Sequence, residues 1–242
     1  MCGATPQLRR PSSGAVMTWA PQLEAVGRIA SSEERIAQYT RLLEQALHDT
    51  PSASLPSLVR TYVDGAVLDP VNTTGAGLLV GRHMLAHLAT QLAAAHIPAN
   101  ILCTIVSDTL ATCEASSIMG DDELGPWRVL LAEQYASLSR WRDAAQALQS
   151  ITPHAARRIP QLSFAQLCVR VVELWLQDLP THVAEAEQAI KRANSAILDE
   201  RDNKALVHEL WSYHARVLAM QHRFMEAAAR YMDLPHADMH AA

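Results

Sequence analysis

Apolar residues recur along this chain every three or four positions with polar residues between them, the spacing of one buried helical face. Ile36, Tyr39, Leu43 and Leu47 form the first such stripe, and Ser31 followed three residues later by Glu34 is a capping-box pair that starts it. Asp49-Thr50-Pro51 ends this helix. Ser57 is expected to open the next, with Leu58, Tyr62, Val63 and Ala66 on one face, before Asp69-Pro70 and Asn72 interrupt the chain. Leu79, Val80, Met84, Leu88 and Leu92 predict a long helix from Gly77 to Leu92 that closes before Pro98. Ile101, Ile105, Val106 and Leu110 predict another, and a turn at Gly120-Asp121-Asp122 leads into the second half of the chain.

That half repeats. Trp141-Arg142-Asp143-Ala144-Ala145-Gln146-Ala147-Leu148 aligns with Phe224-Met225-Glu226-Ala227-Ala228-Ala229-Arg230-Tyr231, and Ala186-Glu187-Gln188-Ala189-Ile190 lies halfway between them. Each block follows a stretch with the apolar positions of another helix: Leu131, Tyr135 and Leu138, then Val171, Leu174 and Leu176, then Val207, Trp211 and Leu218. The unit is a helix pair of about 40 residues, a length typical of helical repeats that stack because no single pair buries its apolar face alone. The small Ala-Ala face of the second helix lets the two backbones approach, with a large residue ahead of it as a plug. The predicted fold is all-α, a right-handed α-solenoid of TPR-like helix pairs with about ten to twelve helices and no sheet. Residues 18–119 read as degenerate helical repeats and 120–242 as TPR-like repeats. Residues 1–17 read as a disordered extension, with Met17 as an alternative start and a weak transit peptide as another reading.

Composition agrees with helices. The 242 residues include 40 Ala and 30 Leu but only 9 Gly and 2 Phe, which favours close-packed helices over sheets. Hydrophobic residues make up 49%, which excludes a disordered chain. A net charge of -5 argues against a nucleic-acid partner bound through phosphate neutralisation, and no apolar run approaches the roughly 18 residues of a membrane span. Cys2, Cys103, Cys113 and Cys168 are far apart without CxxC spacing, so free thiols in a reducing, intracellular compartment are expected.

Candidate chemistry is sparse. His83 and His87 stand one helical turn apart, a spacing that suits two metal ligands, but the intervening Glu of H-E-x-x-H is missing and no third ligand is near; polar-face histidines are the better reading. His208-Glu209 has no second histidine four residues on, and His236, Asp238 and His240 fall at the chain end, where a biological metal site is not expected. Gly75, Gly77 and Gly81 imitate a phosphate loop, yet a turn precedes them instead of a strand and no Lys-Ser/Thr follows; a loop entering a helix is expected. Glu33-Glu34, Asp121-Asp122 and Glu185-Glu187 suit helix first turns or polar faces. Catalytic, cofactor-binding and metal-binding residues are all expected to be absent. The cations are nearly all arginine. Arg140, Arg142, Arg157 and Arg158 cluster around one repeat, and Arg216, Arg223 and Arg230 around the last. They suit carboxylates on a partner protein or, equally, acidic residues of neighbouring repeats.

Three blocks carry a family resemblance: residues 138–151, residues 183–193, and residues 213–234 with Tyr213-His214-Ala215-Arg216 and Phe224-Met225-Glu226-Ala227-Ala228-Ala229-Arg230-Tyr231. Together with Tyr39-Thr40-Arg41-Leu42-Leu43-Glu44-Gln45-Ala46-Leu47 and residues 78–85 upstream, they resemble the subunit 4 family of the COP-9 signalosome over roughly residues 33–234. A paralogous PCI subunit of the proteasome regulatory lid shares the helical-repeat plan. The resemblance implies a non-catalytic scaffold, in nucleus and cytoplasm, of a complex that removes a ubiquitin-like modifier from cullins. The isopeptidase chemistry would belong to a metalloprotease subunit elsewhere in that complex. The implied partners are the other signalosome subunits and a cullin-RING ligase complex, with no cofactor, nucleic acid or membrane. In the family an N-terminal helical arm reaches toward the cullin and its RING partner, and a C-terminal PCI module ends in a winged helix. That module is expected to be absent here, because the sequence stops at Ala242 where the family continues, as a fragment, a truncated gene model or a short form would. A free-standing helical-repeat adaptor and a small metalloenzyme using His83 and His87 are the competing readings.

Overall fold

The computed structural model describes residues 19–232 apart from 76, 160–161, 180 and 199–202, so the expected extension at 1–17 lies outside the described residues. Thirteen α-helices and no strand occur among the described residues. The first half holds α1 (Ala20–Gly27), α2 (Ser32–Asp49), α3 (Leu55–Tyr62), α4 (Pro70–Thr73), α5 (Gly77–Ala94) and α6 (Ala99–Ser116). The second half holds α7 (Asp121–Ser137), α8 (Trp141–Gln149), α9 (Pro153–Ala156), α10 (Phe164–Gln177), α11 (Val183–Ile197), α12 (Lys204–Met220) and α13 (Phe224–Met232). The all-α fold built of stacked helix pairs is the one the sequence predicts. The helix count exceeds the expected ten to twelve because of two four-residue helices, α4 where Asp69-Pro70 and Asn72 read as a break, and α9 in the connection between two pairs. Both start with proline, which suits a first helical position, after a capping side chain: Asp69 accepts the Val71 N–H and Thr152 the Ala155 N–H.

The three predicted pairs are α7 with α8, α10 with α11, and α12 with α13, and each stacks on the next, α10 against α8 and α12 against both α10 and α11. The repeat extends to the backbone. Ser139 after α7 and His222 after α12 both have a left-handed φ, of 56° and 60°. At each site the next N–H bonds back five residues, Arg140 to the Tyr135 carbonyl at 2.8 Å and Arg223 to the Leu218 carbonyl at 2.9 Å. This Schellman closure turns the chain into the second helix of its pair. Arg140 then pairs with Asp143, and Arg223 with Glu226, at the start of that helix.

The small faces pack as the sequence implies. Ala144, Ala145, Ala186, Ala189, Ala193 and Ala227 are all buried. Ala228 departs from the expectation: it is exposed, because no described helix covers that side of α13, where Phe224, Met225 and Met232 also face outward. Between pairs, Arg192 on α11 donates to the carbonyls of Gln149 and Ile151 at 2.7 and 2.8 Å and lies over the Phe164 ring. Gln149 is the last residue of α8 and Ile151 lies just past its cap, so one guanidinium closes the end of a helix in one repeat from the next.

Two apolar clusters fill the interior and meet within α7. Leu124, Trp127, Leu130 and Leu131 belong to the first, with residues of α1, α2, α3, α5 and α6, and Ala132 begins the second. In the first half, α2 packs on α5 and α3 on α6. Three local expectations are corrected here. The helix with Leu58 and Tyr62 starts at Leu55, after a 3-10 turn over Ser52–Ser54, and Ser57 lies within it with its hydroxyl bonded to the Ser54 carbonyl. Leu79 is not on the buried face of α5; it is 69% exposed, while Gly77, Val80, Gly81, Met84, Leu85, Leu88, Ala89 and Leu92 form the buried stripe. Leu138 is likewise exposed, at the very end of α7.

Candidate docking surface

The residues that looked most like chemistry are placed apart. His83 is exposed, and His87, one turn on, lies beside Gln91 with its Nε2 at 3.4 Å from the amide nitrogen. No group of three or more His, Cys, Asp or Glu suited to a metal ion occurs among the described residues, and His236, Asp238 and His240 lie outside them. No helix among the described residues is long and apolar enough to cross a membrane.

The glycines have a packing role. A Cβ on Gly77 would collide with the Val71 carbonyl oxygen, and one on Gly81 would stand 2.7 Å from the Val67 oxygen and 2.8 Å from the Asn72 oxygen. The start of α5 therefore rests directly on the backbone of α4 and of the π-helical turn Val63–Val67. Only Gly75, with φ of 54°, serves a turn. That π turn is held by side chains: Tyr39 donates to the Gly65 carbonyl and Asn72 to the Ala66 carbonyl.

Cys103, Cys113 and Cys168 are buried free thiols, and Cys2 lies outside the described residues. The carboxylate pairs sit as expected, Glu33-Glu34 and Asp121-Asp122 in the first turns of α2 and α7 and Glu185 in that of α11. The ion pairs of Arg140, Arg158 and Arg223, with Asp143, Asp122 and Glu226, lie within one repeat and not between neighbouring repeats. Arg142, Arg157 and Arg216 are exposed and form no ion pair among the described residues, so they remain available to a partner.

What the sequence did not single out is a groove of about 340 Å³ between α7, α10 and α12, the first helices of three consecutive pairs. Val129, Ala132, Leu148, Leu167, Leu174 and Leu206 make it apolar, and Leu162 stands at its edge. Glu133, Arg170, Glu173 and Glu209 supply its charged groups. Arg170 is paired with Glu173, and Glu209 accepts the Tyr213 hydroxyl at 2.8 Å. Glu133 forms no ion pair among the described residues; desolvation against the apolar wall raises its carboxyl above the ordinary value, partly offset by Arg170. Burial, followed by the bond to Glu209 and the charge of Glu173, likewise raises the Tyr213 phenol. Glu133, Glu173 and Glu209 each lie on the first helix of a pair, but their spacings do not follow the period of the alanine-rich blocks, so periodicity alone does not group them.

No family model matches the chain. It is similar to COP9 signalosome complex subunit 4 of three organisms: 29% identical over 216 residues to that of Caenorhabditis elegans, covering 85% of this chain and 51% of the relative. The Arabidopsis thaliana subunit 4 is 26% identical over 204 residues, covering 84% and 48%, and that of Drosophila melanogaster 25% over 208 residues, covering 84% and 47%. These relatives support the resemblance read from the repeat blocks. The chain spans about half the length of the curated relatives it matches.

Proposed function

We propose that this chain is a non-catalytic scaffold subunit of a signalosome-type complex that supports removal of a ubiquitin-like modifier from cullins. The observation that carries this reading is similarity to subunit 4 from a nematode, a plant and an insect along 84–85% of the chain. The fold supports it physically. Stacked helix pairs offer long ridged surfaces rather than an enclosed pocket, an architecture suited to docking several proteins at once. Its partners in this reading are other signalosome subunits and a cullin-RING ligase complex, in nucleus and cytoplasm. The exposed Arg142, Arg157 and Arg216 are available for carboxylates on those partners.

The test is co-purification. The tagged full chain, mixed with recombinant signalosome lacking subunit 4 and separately with a cullin-RING complex, is expected to retain at least one of them through size-exclusion chromatography. Retention of neither, by a chain whose circular dichroism shows it helical and folded, would overturn the reading in favour of an independent helical-repeat adaptor.

A further inference from the structure

We infer that the groove between α7, α10 and α12 is a peptide-binding site, whose ligand is a short segment of another protein that sets an apolar side chain on the groove floor and a Lys or Arg against Glu133 and Glu209. The inference goes beyond the signalosome reading and holds whether or not the chain assembles into such a complex.

Three features of the groove carry it. Its volume of about 340 Å³ falls within the range of sites that bury a ligand's side chains. Its floor is apolar, so a ligand gains by desolvating it. Its charge is unbalanced. Glu133, Glu173 and Glu209 face one guanidinium, Arg170, which is already paired with Glu173. The Tyr213 phenol donates a neutral hydrogen bond to Glu209 and leaves its negative charge in place.

This charge pattern selects the occupant. A purely apolar segment would cover Glu133 without pairing it and so strand a carboxylate away from water. An acidic segment would meet repulsion from Glu133 and Glu209, whose charges Arg170 does not pair. A Lys or Arg can lay its methylene stem along the apolar wall while its cationic end reaches the rim carboxylates, and Arg adds a two-pronged fit to either of them. An apolar residue beside such a cation satisfies floor and rim together.

The experiment uses the full chain and three amino-terminally fluorescein-labelled octapeptides: alternating leucine and arginine, alternating leucine and glutamate, and alternating serine and arginine. Fluorescence anisotropy is read at an ionic strength of about 0.15 M, where distant surface charges are screened. The leucine–arginine peptide is expected to bind at least about ten-fold more tightly than either of the others. The double variant Glu133→Gln/Glu209→Gln is expected to lose about ten-fold of that affinity, whereas Glu44→Gln, on the exposed side of α2, is expected to leave it unchanged. Unaltered binding by the double variant, or equal binding of the leucine–glutamate peptide, would overturn the inference. So would either of two other occupants. Self-association abolished by the double variant would assign the groove to a second copy of the chain. Binding of the probe only after removal of residues 1–18 would assign it to the chain's own Leu8-Arg9-Arg10 segment.

Discussion

Arg35 donates from Nη1 to the Asn72 side-chain oxygen at 2.7 Å, a buried bond between residues 37 apart in the chain that joins α2 to α4. Both side chains are almost wholly removed from solvent, at 5% and 0% exposure, and Arg35 has no carboxylate partner among the described residues. Asn72 is the hub. Its amide also donates to the Tyr39 hydroxyl at 3.3 Å and to the Ala66 carbonyl at 3.0 Å, so one side chain serves a guanidinium, a phenol and the π turn. Replacing Asn72 with Leu leaves the buried Arg35 guanidinium with only the Ser32 hydroxyl as side-chain acceptor among the described residues and is expected to cost about 3 kcal/mol. The double variant Arg35→Met/Asn72→Leu removes the stranded charge as well and should recover much of the loss. Urea denaturation of the three proteins checks both statements, and a cost below about 0.5 kcal/mol for the single variant would contradict the hub role.

The glycines around α5 should separate by mechanism. Gly77→Ala drives a Cβ into the Val71 carbonyl and must push α5 off α4, an expected loss of more than about 2 kcal/mol. Gly75→Ala meets nothing within 4 Å and carries only the strain of its left-handed φ, about 1 kcal/mol. Thermal melts should rank Gly77→Ala well below Gly75→Ala. The reverse order would mean that the turn and not the close approach sets the requirement.

The paired left-handed caps offer a gain. Ser139→Gly relieves a Cβ-bearing residue of its positive φ and is expected to raise stability by about 0.5–1 kcal/mol. The increase at His222→Gly should be smaller, because the His222 ring packs edge-on against Phe224 at 5.7 Å and that contact is lost. A melting temperature unchanged or lowered by Ser139→Gly would show that the turn is not closed in this way.

Burial pushes the Cys113 and Cys168 thiols from an ordinary value of 9.0 up to about 11, and Cys103 in the same direction. At about pH 8 all three are protonated in the folded chain, so a thiol reagent should react with them only at the rate of unfolding. A Cys2→Ser background isolates the three. Folded values above unfolded ones mean a contribution that is complete below the ordinary thiol value and is lost as pH rises from there through about 11. The urea midpoint should therefore fall between about pH 8 and pH 10.5, and a flat profile would contradict the burial of these thiols.

The pattern of apolar positions already contained the stacked pairs, since Ala144, Ala145, Ala186 and Ala189 lie at the spacing that faces a neighbouring helix and are buried as that spacing requires. It misplaced Leu79 because Leu78, Leu79 and Val80 are apolar in succession, so spacing does not choose the buried side of the first turn of α5. Only backbone contact with α4 shows that Gly77 and Gly81 occupy the buried side and turn Leu79 to solvent. It also passed over Arg35, since a charged residue in an otherwise polar first turn gives no sign that it will be enclosed.

Local periodicity thus specified which faces are apolar and how often the helix pair recurs, because both are properties of neighbouring residues on one helix. The groove beside Glu133, Arg170, Glu173 and Glu209, and the enclosed Arg35–Asn72 bond, came into being only when separate helices were brought together. Charge balance and desolvation depend on distances between residues far apart in the chain, and those distances exist only once the pairs are stacked.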